Sequence, residues 1–330
     1  MLSIVIPTHH RTDLLHACLA AVVRHAPGDC EIVVVDDASP GEIASVVARA
    51  FGVGVVRMPR QGGFATAANA GIRASRGDIV EMLNDDTEVQ AGWAEAALQW
   101  FADPHLGSVA PLVLTWPDGD TIDSAGDRYY VGGVAGKRGH GCPVSPEFLT
   151  PGPVFGASAA AGFYRRSALD EAGLFPEEFG SYFEDVDLAF RLRRAGYTAM
   201  YEPASRVLHH VSASFGRQGR RLIEQQSRNE ERVFWRNIPA SALWRALPKH
   251  AVVLAGKAWR RWQEGTLTPW LFGRLSVLRE WRQFRQNRRC LSDVDWTLLG
   301  IDERVFADPP FPAHGNADQD AADVPPDVSE

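Results

Sequence analysis

Three acidic pairs and one histidine pair supply the residue types from which chemistry could be built in this chain: Asp36-Asp37, Asp85-Asp86, Glu184-Asp185 and His209-His210. Asp85-Asp86 comes just after the run 79–83. Two carboxylates on a sharp turn offer hard oxygen ligands to Mn2+ or Mg2+, ions that complete their octahedron with substrate phosphates and water. An ion held there would neutralise a diphosphate leaving group. A solvated turn or a helix N-cap would use the same residues. Asp36-Asp37 ends the β-branched run 31–35, where a carboxylate can accept the N–H of a base or a ribose hydroxyl. The same turn chemistry is its alternative. Glu184-Asp185, with Asp187 close behind, opens an amphipathic stretch whose helix dipole would keep a carboxylate ionised and able to act as a base. Acids at a helix start without chemistry look alike. His209-His210 follows the stretch 205–208 and suits packing as well as metal ligation. The glycines of Arg60-Gln61-Gly62-Gly63-Phe64 would let a helix N-terminus approach an anion, or simply make a tight turn.

The elements that must position these residues alternate. A short strand at 3–6 ends at Pro7, and Leu14, Leu15, Cys18, Leu19, Val22 and Val23 then recur at helical spacing. A strand at 31–35, a helix at about 42–50, a strand at 53–56, a helix at 64–75 closed by Gly77 and a strand at 79–83 follow. That order implies an α/β fold with a doubly wound, mostly parallel, Rossmann-like sheet. Ligands of such sheets bind beyond the carboxyl ends of the strands, so Pro7-Thr8-His9, Asp36-Asp37 and Asp85-Asp86 should converge on one cleft. Residues 110–165 are rich in Gly, Ser and Pro and read as an irregular half of the same domain that holds a second substrate. Leu188 and Leu192 share a helix face with Asp185 and Ala189, and Gly196 stops that helix.

Several function classes are disfavoured. The net charge of -7 argues against nucleic acid as a partner. Cys18, Cys30, Cys142 and Cys290 form no C-x-x-C pair, so neither a zinc site nor a disulfide framework is indicated and a reducing, cytoplasmic setting is expected. The start of the chain lacks a basic n-region and reads as a strand rather than a signal peptide. No apolar run reaches the roughly 20 residues of a membrane span. No G-x-G-x-x-G follows the first strand and no G-x-x-x-x-G-K-[ST] occurs, against dinucleotide oxidoreductases and P-loop enzymes.

Six segments in order across about residues 3–215 resemble family 2 glycosyltransferases of the GT-A fold, and within them the bacterial rhamnosyltransferase-like group. They are S-I-V-I-P-T-H-H-R, I-V-V-V-D-D-A-S, G-G-F-A-T-A-A-N-A-G-I, L-N-D-D-T-E-V, Y-F-E-D-V-D-L-A-F-R-L-R-R-A-G-Y and V-L-H-H-V-S-A-S. The resemblance implies that Pro7, Thr8, His9 and Asp37 contact the donor's base and ribose, supported by Asn69 and the Gly62-Gly63 loop. It implies that Asp86 is the metal-binding aspartate of a D-x-D motif whose first position is Asn84, with Asp85 on the donor side. Asp185 matches the catalytic base, Glu184 a neighbour that binds the acceptor, and His209 a histidine that completes metal coordination. His9-His10 stands where the family commonly has Tyr-Asn, and Gln225-Gln226-Ser227-Arg228-Asn229 replaces the Q-x-x-R-W of processive members.

The implied activity is inverting transfer of one sugar, rhamnose being a candidate, from a UDP- or dTDP-sugar to a glycan or lipid-linked acceptor in cell-surface polysaccharide synthesis. The rivals are a catalytically silent nucleotide-sugar-binding protein and a sugar nucleotidyltransferase, whose glycine-rich basic signature is absent at Pro7-Thr8-His9-His10. The expected organisation is a GT-A domain over 1–215, with a donor half to about 110 and an acceptor half over about 111–215, then a C-terminal helical extension over 216–306 and a disordered acidic tail over 307–330. Between 245 and 289 eleven Lys or Arg face only Glu264 and Glu280, interleaved with Trp244, Trp259, Trp262, Trp270 and Trp281. Such helices can lie peripherally on the inner face of an anionic membrane, or pack on the catalytic domain with a solvated basic face.

Overall fold

The computed structural model of the chain describes residues 1–210, 219–284 and 299–304. Its first half runs β1 (Leu2–Thr8), α1 (Thr12–His25), β2 (Cys30–Asp36), α2 (Ile43–Ala50), β3 (Gly54–Arg57), α3 (Phe64–Ala74), β4 (Ile79–Met82), β5 (Thr87–Val89) and α4 (Trp93–Leu98). Then come β6 (Leu106–Thr115), β7 (Ile122–Ser124), β8 (Asp127–Tyr130), β9 (Val134–Lys137), β10 (Gly152–Pro153), β11 (Phe163–Arg165), α5 (Arg166–Ala172), α6 (Glu184–Arg194) and β12 (Thr198–His209). The extension is α7 (Arg220–Asn237), α8 (Ala240–Gln263) and α9 (Leu267–Ser276).

The main sheet has the order β10-β12-β6-β11-β4-β1-β2-β3. From β4 through β3 every pairing is parallel, as the alternation of strands and helices requires. Past β4 the sheet is mixed: β11 runs antiparallel to both β4 and β6, and β12 pairs parallel with β6 but antiparallel with β5 and β10. Antiparallel neighbours need no helical crossover, so the Gly- and Pro-rich middle of the chain can build this half from short strands. β8 and β9 form a separate hairpin.

Strand alternation sorts the apolar residues into two cores. Leu2, Ile4, Ile6 and Val34 pack with Leu15, Cys18, Leu19 and Val22 of α1 on one face. Val5, Val33 and Val35 pack with Ala65, Ala68 and Ile72 of α3 on the other. Buried on both faces, these strands read as continuous apolar runs. The small residues of α3 bring it close to the sheet: a Cβ at Gly71 would meet Val5 Cγ1 at 2.3 Å and Val35 Cγ2 at 2.8 Å. A third core joins Phe179, Val186 and Phe190 to Val233, Phe234 and Ile238, so α7 shares its apolar face with α6. No helix among the described residues is long and apolar enough to cross a membrane. The expected acidic tail, the end of the basic segment and Val211-Ser212-Ala213-Ser214 lie outside the described residues.

Candidate active site

The carboxyl ends of β1, β2 and β4 open on one cleft of about 640 Å³, lined by Pro7, Thr8, His9, Asp37, Gly63, Asp85 and Asp86 from the first half of the chain. Across it stand Glu184, Asp185 and His209, brought by α6 and the end of β12. Asn69 does not line it. Its Nδ2 donates to the carbonyl of Phe175 and to Glu177 Oε1, and its Oδ1 accepts from Phe175 N–H, so a fully engaged amide clasps α3 to the segment before α6 instead of reaching a donor.

Asp85 and Asp86 are buried at the turn between β4 and β5. Arg11, just ahead of α1, spans both: Nη2 lies 2.6 Å from Asp85 Oδ1 and Nη1 lies 2.9 Å from Asp86 Oδ2. Thr8 Oγ1 donates to Asp85 Oδ2 at 2.7 Å. The surroundings set the two acids apart. Burial lifts the Asp85 carboxyl above its ordinary range despite Arg11 and Thr8. Burial acts on Asp86 too, but His209 and Arg11 outweigh it and hold that carboxyl low.

Asp86 Oδ1 is buried and has no hydrogen-bond partner among the described residues, although His209 Nε2 stands 3.2 Å away. The pair is close without being aligned as a hydrogen bond. Asp123, on β7, lies 3.0 Å from His209 Nδ1 and also takes Lys137 Nζ on both oxygens at 3.0 and 2.9 Å. Burial would push the His209 imidazole down, yet Asp123 and Asp86 hold it up at about 9. Among the described residues no three or more His, Cys, Asp and Glu form a cation cage. As they stand, Asp86 Oδ1 and His209 Nε2 form an ion pair; once the imidazole loses that proton, the two become a donor set that fits Mn2+ or Mg2+ with a diphosphate and water in the remaining positions. His210 turns elsewhere, stacking on Trp116 and meeting Glu88 at 2.8 Å.

Asp37 accepts the N–H groups of Gly62 at 2.7 Å and Gly63 at 2.9 Å, which pins the glycine loop ahead of α3. Gly63 takes φ +82°, which a side chain would strain. His9 Nδ1 sits 2.8 Å from the Asp37 carbonyl, so the first two strand ends are tied together. Asp36 faces away, bound to Ser39 N–H, Ser45 and Arg57.

The loop before α6 is strained: Tyr182 and Phe183 have φ of 72° and 69°. Two adjacent non-glycine residues in the left-handed region cost on the order of 1–3 kcal/mol each. Asn229 of α7 offsets this by donating to the carbonyls of Phe179, Ser181 and Tyr182, and Gln225 donates to those of Phe179 and Ser181. The loop thereby delivers Glu184 and Asp185 to the cleft at the first turn of α6. Asp185 Oδ2 accepts Ala159 N–H at 3.1 Å and Oδ1 accepts Val186 N–H at 2.9 Å. Burial, and then the Asp185 charge, push the Glu184 carboxyl well above its ordinary range. Asp187 points away from the cleft, pairs with Arg191 on its own helix and locks α6 to α7 through Arg236 and Asn237.

Sequence reasoning missed Arg11, Asp123, Asp127, Lys137, Gln225 and Asn229. Asp127 and Lys137 line the cleft from the β8–β9 hairpin, and burial followed by the Asp185 charge raises the Asp127 carboxyl well above normal. Arg11 sat in a quoted motif without a role, and Gln225 and Asn229 were read only for lacking the processive signature. Asp123 of β7 and Asp127 of the hairpin carried no local signal.

The family profile described as Glycosyl transferase family 2 matches residues 3–173. The chain belongs to glycosyl transferase family 2. Within that family it is 33% identical over 180 residues to the pre-mycofactocin glycosyltransferase of Mycobacterium tuberculosis, covering 54% of this chain and 37% of the relative. It is also 33% identical over 178 residues to the N-acetylglucosaminyl-diphospho-decaprenol L-rhamnosyltransferase of the same species, covering 47% of this chain and 58% of the relative. The chain thus spans less than two thirds of either relative's own length. Among solved structures, the mannosyltransferase PcManGT from Pyrobaculum calidifontis, in complex with GDP-Man and Mn2+, matches with TM-score 0.53 at 20% identity, over 90% of this chain and 84% of that one. That likeness bears out the GT-A fold for this family 2 chain, with its curled mixed sheet and helical C-terminal region.

Proposed function

We propose that this chain is an inverting glycosyltransferase that moves one sugar, rhamnose being the leading candidate, from a UDP- or dTDP-sugar to a hydroxyl of a glycan or lipid-linked acceptor in cell-surface polysaccharide synthesis. The observation that carries the reading is that one cleft holds both an Asp86 oxygen without a hydrogen bond beside His209 and an Asp185 carboxylate at a helix start. In this account Pro7, Thr8, His9 and Asp37 receive the base and ribose, and Glu184 lies on the acceptor side. The acceptor oxygen attacks the anomeric carbon, the bond from that carbon to the diphosphate oxygen breaks, and the acceptor proton passes to Asp185. A divalent cation on Asp86 and His209 would supply charge neutralisation for the departing diphosphate. Single displacement inverts the anomeric centre. The named relatives and the Mn2+ complex of the structural neighbour support this reading.

One observation favours a second reading. Arg11 already bridges both acids, as a silent nucleotide-sugar binder without metal would require. Hydrolysis of UDP- and dTDP-sugars without acceptor separates the two: enzyme activity predicts Mn2+-dependent release of nucleotide that Asp86→Ala abolishes. Tight donor binding with no release under any metal would leave the binder.

A further inference from the structure

α8 is built inside out. Its inner face sends His250 and Lys257 to the buried acids Glu231 and Glu230 of α7, where Arg274 of α9 joins them. Its outer face shows Trp244, Val252, Trp259 and Trp262 to solvent, at 68, 61, 60 and 60% exposure. At 3.6 residues per turn those four fall within an arc of about 80° and so form one face. The buried ion pairs fix the helix in this rotation, because turning that face inward would leave the two buried acids Glu230 and Glu231 with Arg274 as their one remaining cation of these three. α9 and the turn after it extend the apolar face with Phe272, Leu275 and Leu278, again more than half exposed. Between the two helices runs an apolar cleft of about 440 Å³, bordered by Leu254, Ala258, Leu271 and Leu275.

An exposed surface of this composition needs an apolar partner. The charges at its margin say which. Arg245 stacks over Trp244 at 5.0 Å, and among the described residues Arg245, Arg279 and Arg282 have no carboxylate partner. Tryptophans flanked by arginines match the boundary between phosphate headgroups and acyl chains. A second copy docked on the same face would oppose arginine to arginine.

We propose that the outer face of α8 and α9 docks on an anionic lipid bilayer, with Trp259, Trp262 and Leu275 entering the headgroup boundary and the arginines meeting phosphates. The cleft between the helices accepts part of an acyl chain. This docking does not depend on the reaction assigned to the active site. It does have a route to it, since α7 packs against α9 and, through Gln225 and Asn229, holds the loop that presents Asp185.

The test uses the full chain and vesicles of phosphatidylcholine alone or mixed with phosphatidylglycerol. The chain should float with the mixed vesicles at low salt, shift its tryptophan emission to the blue, and release at high salt. The double substitution Trp259→Ser and Trp262→Ser, at exposed positions, should keep the melting temperature and weaken vesicle affinity at least about tenfold. Failure to float with mixed vesicles at low salt would overturn the proposal. So would affinity unchanged by the double substitution, or a dimer dispersed by it in a chain that ignores vesicles.

Discussion

His209 Nε2 stands 3.2 Å from Asp86 Oδ1, an oxygen with no hydrogen bond, while His209 Nδ1 is held 3.0 Å from Asp123 Oδ2. The imidazole that faces this carboxylate is oriented from behind, as histidine ligands of metals are, so a divalent cation would enter by displacing the imidazole proton.

Asp123 should therefore matter for metal affinity although it is not expected to touch the metal. Asp123→Asn should weaken Mn2+ binding by about 10- to 100-fold, measured by electron paramagnetic resonance of free Mn2+. Binding equal to that of the parent would remove Asp123 from this role.

Arg11 is the cation that keeps two adjacent buried carboxylates together. Arg11→Met should lower stability in the presence of chelator by about 2 kcal/mol, less than a fully buried pair would cost because the guanidinium is partly exposed. Mn2+ should recover more stability in the variant than in the parent. Thermal melts with and without Mn2+ report both effects, and equal recovery would contradict them.

Asn229 should couple stability to turnover. Asn229→Ala removes donors to three carbonyls of a strained loop, for a loss of about 2–3 kcal/mol. Turnover should fall further than the folded fraction does, because Asp185 loses its placement. A variant that melts early yet turns over normally at low temperature would show that the loop holds itself.

Glu81 on β4 predicts a pH dependence. Its Oε1 accepts from Trp93 Nε1 at 2.8 Å, its Oε2 has no partner among the described residues, and burial pushes the carboxyl up to about 8. The folded chain then binds this proton more tightly than the unfolded chain. Stability from this group is complete below the unfolded value near 4.5 and is lost as pH rises to about 8. Glu81→Gln should flatten that fall and raise the melting temperature at pH 8, by an amount worth a few kcal/mol. Parallel pH profiles for parent and variant would contradict it.

The first half of the fold was legible because its information is local. Strands buried on both faces read as apolar runs, helices show their period, and the expected element limits in β1 through β4 lie within about two residues of those observed. Pairing beyond β4 was not legible, since β11 inserts between β4 and β6 across long stretches of chain. The same distance hid half of the site. Arg11 meets its acids 74 and 75 residues away, and Asn229 reaches carbonyls 47 to 50 residues away. Asn69 shows the same limit from the other side: a conspicuous motif position bonds to a backbone carbonyl 106 residues on.

The account stands most directly on Asp185. Transfer from a UDP- or dTDP-sugar in the presence of Mn2+, measured together with donor affinity, should show Asp185→Asn slower by about 10²- to 10⁴-fold with donor binding unchanged. Near-normal transfer by that variant would contradict the account.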